Sequence, residues 1–173
     1  EDFKQGYGSL NKSVELYKNM PTAITDPAEK EMMLDARLRV AEIYFDQGIN
    51  SGDFSRAFAE LKDILELDPK MAGAYVLRGR VNLAAGSLAK DDGNADEAAA
   101  KFESASADAK QALESQADNA AAHVLLGQIA LLQEQPEVAR PELEKAVELD
   151  PKNVQAYISL ATLSFQNSDF EKA

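Results

Sequence analysis

His123 is the one imidazole in this 173-residue chain, which contains no cysteine at all. Nucleophilic or metal chemistry at an imidazole needs a hydroxyl, thiol or carboxylate partner at fixed spacing, and no Ser–His–Asp constellation surrounds His123. The missing thiols exclude disulfides, thiolate catalysis and every Cys-based zinc site, and they fit a reducing or an oxidising compartment equally. Two acidic runs, "DDGNADE" at 91–97 and "NSGD" at 50–53, carry calcium-type donors. They lack the alternating loop spacing and distal glutamate of a calcium hand, so they read as solvated turns. Gly6 and Gly8 in "QGYGSL" have neither a preceding strand nor a following lysine, so no phosphate loop is assigned. The remaining carboxylates are scattered as on solvated helix faces. No catalytic residue, cofactor site or metal site follows, and the chain reads as non-enzymatic.

Bulk composition narrows the partners. Acidic side chains number 30 against 18 basic ones, and the formal charge of −12 would repel phosphate backbones. Nucleic acid is therefore not expected as a partner. Hydrophobic residues make up 45% and charged residues 28%, the balance of a folded soluble chain. No apolar run reaches the roughly 18 residues that cross a bilayer, so direct membrane insertion by this segment is not expected. The chain opens on Glu1 and no signal peptide is visible, so an upstream leader or domain removed before this point is compatible with it. A bacterial source, from the Ala- and Gln-rich style, and either the envelope (periplasm) or the cytoplasm are the expectations for origin and compartment.

What organises the chain is a repeat. "ELDPKMAGAY" at 66–75 recurs as "ELDPKNVQAY" at 148–157, and a weaker copy, "ESQADNAAAH", stands at 114–123. The last two copies are 34 residues apart (148 − 114), a period that marks helix-turn-helix arrays whose apolar faces are buried only against neighbours. Small residues at Ala41, Gly79, Gly127 and Ala161 allow close helix approach, and Leu61, Leu126 and Leu143 fill the seam. The Asp-Pro and Ala-Asp steps break the helices.

The segment 120–153 resembles a tetratricopeptide repeat throughout: Leu126-Gly127, Ala139, Leu143, Ala146 and Pro151 stand at the family's offsets. Tyr157, Leu160, Ala161 and Ala173 continue the register after it. Before it, Val40, Ala41, Tyr44, Ala57, Leu61 and Pro69 fit with about four extra residues assigned to the "GINSG" turn. His123 takes a place usually held by an aromatic residue, which implies a structural role. The resemblance implies an all-α, right-handed α-solenoid of antiparallel helix pairs. The expected organisation is one domain over 1–173: an N-terminal helix or half repeat at 1–33, repeats at 34–71, 72–119 and 120–153, and a partial repeat at 154–173.

The 82-residue spacing of the strongest copies follows from a long second unit. Residues 72–119 number 48, exceeding 34 by 14, and 34 + 48 = 82. Gly93 reads as a helix stop and Asn94 as a new start with Glu97 as capping-box partner. Ala98, Phe102, Ala105, Ala109 and Ala112 then follow a 4-3-4-3 spacing. The expectation is seven extra residues on each helix, a protruding elongated pair, with a flexible loop as the alternative. At the other end, Phe3, Tyr7, Leu10, Val14 and Tyr17 outline an amphipathic helix, and Asp26, Pro27 and Glu29 read as cap, first helical position and box partner of the next.

The resemblance places recognition on the concave surface built from first helices. Its fifth positions are Leu38, Val76, Val124 and Ile158, its ninth Glu42, Arg80, Gln128 and Thr162, and its twelfth Phe45, Leu83, Leu131 and Phe165. Family members that clamp chaperone C-terminal carboxylates carry Lys and Asn at the fifth and ninth positions, a pattern missing here. An apolar groove suits a peptide or an amphipathic helix whose anchors recur at helical spacing. The expected function is a non-catalytic interaction scaffold in a larger assembly, with a regulatory or substrate-recruiting arm of a multidomain enzyme as the alternative. The partial last repeat implies a chain excised from a longer one, or one that self-associates through that open end.

Overall fold

The computed structural model describes the backbone of residues 26–170 and the side chains through Phe165. The amphipathic pattern from Phe3 to Tyr17, the glycines of "QGYGSL" and Ala173 lie outside the described residues. Seven helices and no strand occur among the described residues: α1 (Pro27–Ser51), α2 (Ser55–Leu67), α3 (Ala72–Asp91), α4 (Ala95–Ser115), α5 (Ala120–Leu132), α6 (Pro136–Leu149) and α7 (Val154–Phe170). The fold is all-α, as the periodicity predicts. It divides into two compact units, 1–69 and 70–173.

In the first unit, the Asp26 side chain accepts the Ala28 N–H at 2.8 Å and Pro27 opens α1. The capping bond therefore goes to Ala28, and Glu29 contributes first-turn negative charge. The "GINSG" residues do not form a loop: α1 continues through Ser51 and stops only at Gly52, whose φ of 76° is left-handed. Gly48 lies inside that helix with the Phe54 ring packed against it; a Cβ would meet Phe54 Cδ1 at 2.3 Å. Phe54 in turn stacks on Phe45, ring centroids 6.1 Å apart. At the other end of the pair, Lys30 Nζ donates to the terminal Leu67 carbonyl at 2.8 Å. Gly48 meeting Phe54 while Lys30 meets Leu67 fixes α1 and α2 as antiparallel.

The second unit holds two helix pairs and α7. Along α3 and α4, Val76 packs with Ala112, Arg78 bonds Asp108, and Gly86 lies under Phe102, so rising numbers on one helix meet falling numbers on the other. Gly127 against Leu143 and Ala130 against Ala139 give α5 and α6 the same antiparallel sense. Helix α3 has 20 residues against 13 in α5, and α4 has 21 against 14 in α6, seven more in each case. The insertion is thus a longer hairpin and not a flexible loop. Its tip turns at Gly93, φ 81°. Asn94 precedes α5's predecessor α4 as expected but makes no side-chain capping bond, so the expected box does not form. The added turns belong to the core: Ala89, Ala98 and Phe102 cluster with Ala105, Ala109, Leu125 and Ile129. Lys90 Nζ also reaches the last carbonyl of α5, Leu132, at 3.0 Å.

Successive pairs meet through alanine. Val76 packs on Ala112 and Ala122, and one repeat later Val124 packs on Ala146 and Ala156. Ala122 and Ala156 are the third residues of their helices, held in place by Asn119 and Asn153, whose side chains accept the Ala122 and Ala156 N–H groups at 3.0 Å. Of the four small seam residues, Ala41, Gly79 and Gly127 are buried, whereas Ala161 is exposed because no helix pairs with that side of α7 among the described residues.

Candidate functional site

Because Val76 meets Ala122 as Val124 meets Ala156, helices α3, α5 and α7 share one register. Residues four and seven apart on a helix share a face, so each helix contributes a stripe: Val76, Arg80, Leu83; Val124, Gln128, Leu131; Ile158, Thr162, Phe165. The stripes lie side by side within the second unit, and Gln128 Nε2 donates across to Ser159 Oγ at 3.4 Å. In the first unit Leu38 is half-buried, Glu42 exposed, and Phe45 buried beneath Phe54.

Exposure divides the expected groove residues into two classes. Val76 and Val124 are 8% and 6% exposed, closed over by the alanines of the following helix. They hold repeats together, and a charge at either would disrupt the seam before it altered a ligand surface. Ile158 occupies the same position but is 52% exposed, since no following helix covers it among the described residues. Arg80, Thr162 and Phe165 are exposed, and Leu83, Gln128 and Leu131 are half-buried. The less buried members of the stripes are therefore Leu83, Leu131 and Phe165 at the twelfth positions, with Arg80, Gln128 and Thr162 at the ninth.

An arrangement that the 34-residue register does not mark recurs in each helix pair. Each second helix carries a carboxylate that grips a basic side chain of its first helix: Glu60 on Arg37, Asp108 on Arg78, and Glu142 on His123. Asp108 is buried and doubly engaged, bonded by Arg78 Nη2 at 2.6 Å and by Asn82 Nδ2 at 3.1 Å. Arg37 also reaches Asp63 at 2.8 Å, and His123 Nδ1 lies 2.7 Å from Glu142. The signal was present in the sequence: each acid follows by three a fully buried alanine of its helix, Ala57, Ala105 or Ala139. His123 is accordingly a structural partner of Glu142. No group of three or more potential ligands for a metal ion occurs among the described residues, and no helix among them is long and apolar enough to cross a membrane.

Family models described as tetratricopeptide repeat match residues 49–91, 120–153 and 142–173. No curated protein matches the chain significantly. Similar solved folds include the first such domain of human RPAP3, at 18% identity over 79% of this chain and 97% of that one, TM-score 0.60. The first such domain of Spaghetti (RPAP3), solved with an HSP90 peptide, aligns at 17% identity over 76% and 96%, TM-score 0.52. YrrB, described as having an unusual peptide-binding site, aligns at 21% identity over 94% and 68%, TM-score 0.52. At these identities the likeness is one of fold.

Proposed function

This chain belongs to the tetratricopeptide repeat family, and from that premise we propose that it is a non-catalytic interaction scaffold whose second unit holds a peptide or amphipathic helix across α3, α5 and α7. The observation that carries this reading is the composition of the aligned stripes. Nine residues on three co-registered helices include no carboxylate, in a chain whose net charge is −12. Leu83, Leu131 and Phe165 offer apolar contact, and Arg80, Gln128 and Thr162 offer polar groups that fix register. Peptide recognition by similar folds, the HSP90 peptide on Spaghetti and the peptide site of YrrB, supports the partner class. An acidic tail is a poor fit, because the fifth positions are apolar and Arg80 is the single cation of the stripes. The functional repeats are taken as 34–71, 72–119, 120–153 and the partial 154–173. Self-association through α7 belongs to the same reading, within a larger assembly.

Selection of a helix-displaying peptide library on the immobilised chain tests the groove. Enriched sequences should carry large apolar residues at helical spacing, bind with little dependence on salt, and lose binding to a Leu83→Glu, Leu131→Glu variant of unchanged helicity. Enrichment that survives that variant but is lost on Glu144→Lys, on the exposed side of α6, would refute the placement.

A further inference from the structure

The α3–α4 pair lacks the side chain that interlocks the other two. Helices α2 and α6 carry Leu61 and Leu143, both fully buried, four residues after the buried alanines Ala57 and Ala139, whereas α4 carries Ala109 four residues after Ala105. The apolar part of its buried face is otherwise Ala98, Phe102 and Ala112, and α3 meets it with Gly79 and Gly86. Small residues on both sides make a smooth contact, with few knobs to oppose rotation of one helix against the other. Burial does not choose an orientation of α3 either, because Val76, Leu77 and Val81 are all buried yet point to different sides of the helix at about 100° per residue. Asp108 supplies what packing does not. Arg78 Nε donates to its two oxygens at 3.0 and 3.1 Å, Arg78 Nη2 at 2.6 Å and Asn82 Nδ2 at 3.1 Å. Arg78 and Asn82 are one turn apart, so a single carboxylate on α4 holds α3 at two points. The other grips hold their first helices at one point each, Arg37 on α1 and His123 on α5. We propose that Asp108 is a positioning residue for peptide recognition, fixing the rotation of α3 that presents Arg80 and Leu83. The proposal rests on the groove reading above.

The grip lies on the side of α3 opposite the stripe. Arg78 and Asn82 stand about 200° and 240° round the helix from Val76, whereas Arg80 and Leu83 fall within about 40° of it. The cluster is itself held still. The Asp108 side chain is 6% exposed, the Arg78 guanidinium lies over the Tyr75 ring 5.3 Å from its centroid, and a Cβ on Gly79 would meet Asp108 Cβ at 3.3 Å. Turning α3 by one residue would bring Leu77, Val81 and Ala84 to the stripe and leave a buried carboxylate without its partners, a costly state. Smaller displacements also count, since a binding surface needs its groups held within about 0.5 Å and 10–20°. If α3 freed from the grip keeps the presenting orientation for about a tenth of the time, apparent affinity falls about tenfold.

The triple variant Arg78→Met, Asn82→Ala, Asp108→Leu removes the whole cluster and strands none of its polar groups, an exchange that is often neutral or stabilising. The probe is the most enriched peptide of the selection described above, labelled with fluorescein. The triple variant should keep wild-type helicity and melting temperature, bind this peptide about tenfold or more weakly, and show broadened or doubled amide signals for Arg80 to Leu83 in the ligand-free chain, where the wild type shows one sharp set. Arg78→Lys, at a part-exposed position, decides the matter if the triple variant does not fold: it keeps the charge but not the fork, so affinity should fall about threefold or more with the same broadening. Arg37→Lys, in the first unit, should change neither. Sharp signals with unchanged affinity in the triple variant, or in Arg78→Lys where that variant decides, overturn the proposal, as does an affinity loss that Arg37→Lys reproduces. A wild type whose α3 amides do not move when the peptide is added overturns the groove reading instead, and the ligand-free signals then still decide whether Asp108 orients α3.

Discussion

Gly127→Ala perturbs the closest approach of α5 and α6. A methyl at Gly127 would stand 2.5 Å from Cγ and 2.6 Å from Cδ2 of Leu143, and 3.4 Å from the Ala139 carbonyl oxygen. Leu143 is fully buried, so its branch point cannot withdraw without shifting the helix or leaving its rotamer. Overpacking of this kind costs about 1–3 kcal/mol, offset by about 1 kcal/mol from replacing a helical glycine. The net loss is about 0–2 kcal/mol. Leu143→Ala alone opens a cavity worth about 2–5 kcal/mol. In the double variant the clash is gone, the cavity is partly filled and the propensity gain remains. The pair should therefore couple by at least ~1 kcal/mol, with the double variant more stable than Leu143→Ala alone. Urea denaturation of the four proteins, followed by circular dichroism at unchanged m-value, measures this. Additivity within about 0.5 kcal/mol would refute the contact.

Three further outcomes follow from other parts of the molecule. Glu134 holds a φ of 59° in the turn between α5 and α6, where the turns within the other two pairs use Gly52 and Gly93, so Glu134→Gly should raise stability by about 0.5–1 kcal/mol, read as a higher melting temperature. Arg78→Met strands the buried Asp108 carboxylate with Asn82 alone and should cost about 3 kcal/mol, whereas Asp108→Asn lets the part-exposed Arg78 reach water and should cost about 1–2 kcal/mol; equal losses in denaturation would contradict the asymmetry. The Ser55 backbone N–H, and then its hydroxyl, hold the Asp53 carboxyl below its ordinary value. Its contribution to α2 is complete above the unfolded value and lost as pH falls through the lower folded one. Asp53→Asn should therefore remove that contribution near neutrality, leave stability at low pH little changed, and so flatten the acid limb of the stability profile.

Helix boundaries were readable wherever one residue decided them: Asp68 and Asp150 before proline, Gly93 at the hairpin tip, Asp26 before Pro27. The "GINSG" segment misled because two glycines in five residues suggest a turn, whereas Gly48 lies inside the helix and its missing Cβ makes room for the Phe54 ring. The stripe positions were legible from the register, but their exposure was not. Val76 and Val124 are hidden by alanines 46 and 32 residues further on (122 − 76 and 156 − 124), so only the contact between repeats separates them from exposed Ile158. The carboxylate grips escaped spacing analysis because their bases sit at different places, Arg37 and His123 fourth in their units but Arg78 seventh. The acid is periodic and its partner is not.

The central claim is that the second unit recognises a peptide on the common face of α3, α5 and α7. Titration of the isotope-labelled chain with a selected peptide, followed by amide chemical shifts, tests it most directly. Shifts should concentrate at Arg80 to Leu83, Gln128 to Leu131 and Thr162 to Phe165, saturating together with one affinity. Shifts confined to α4 and α6, with these three segments unmoved, would contradict it.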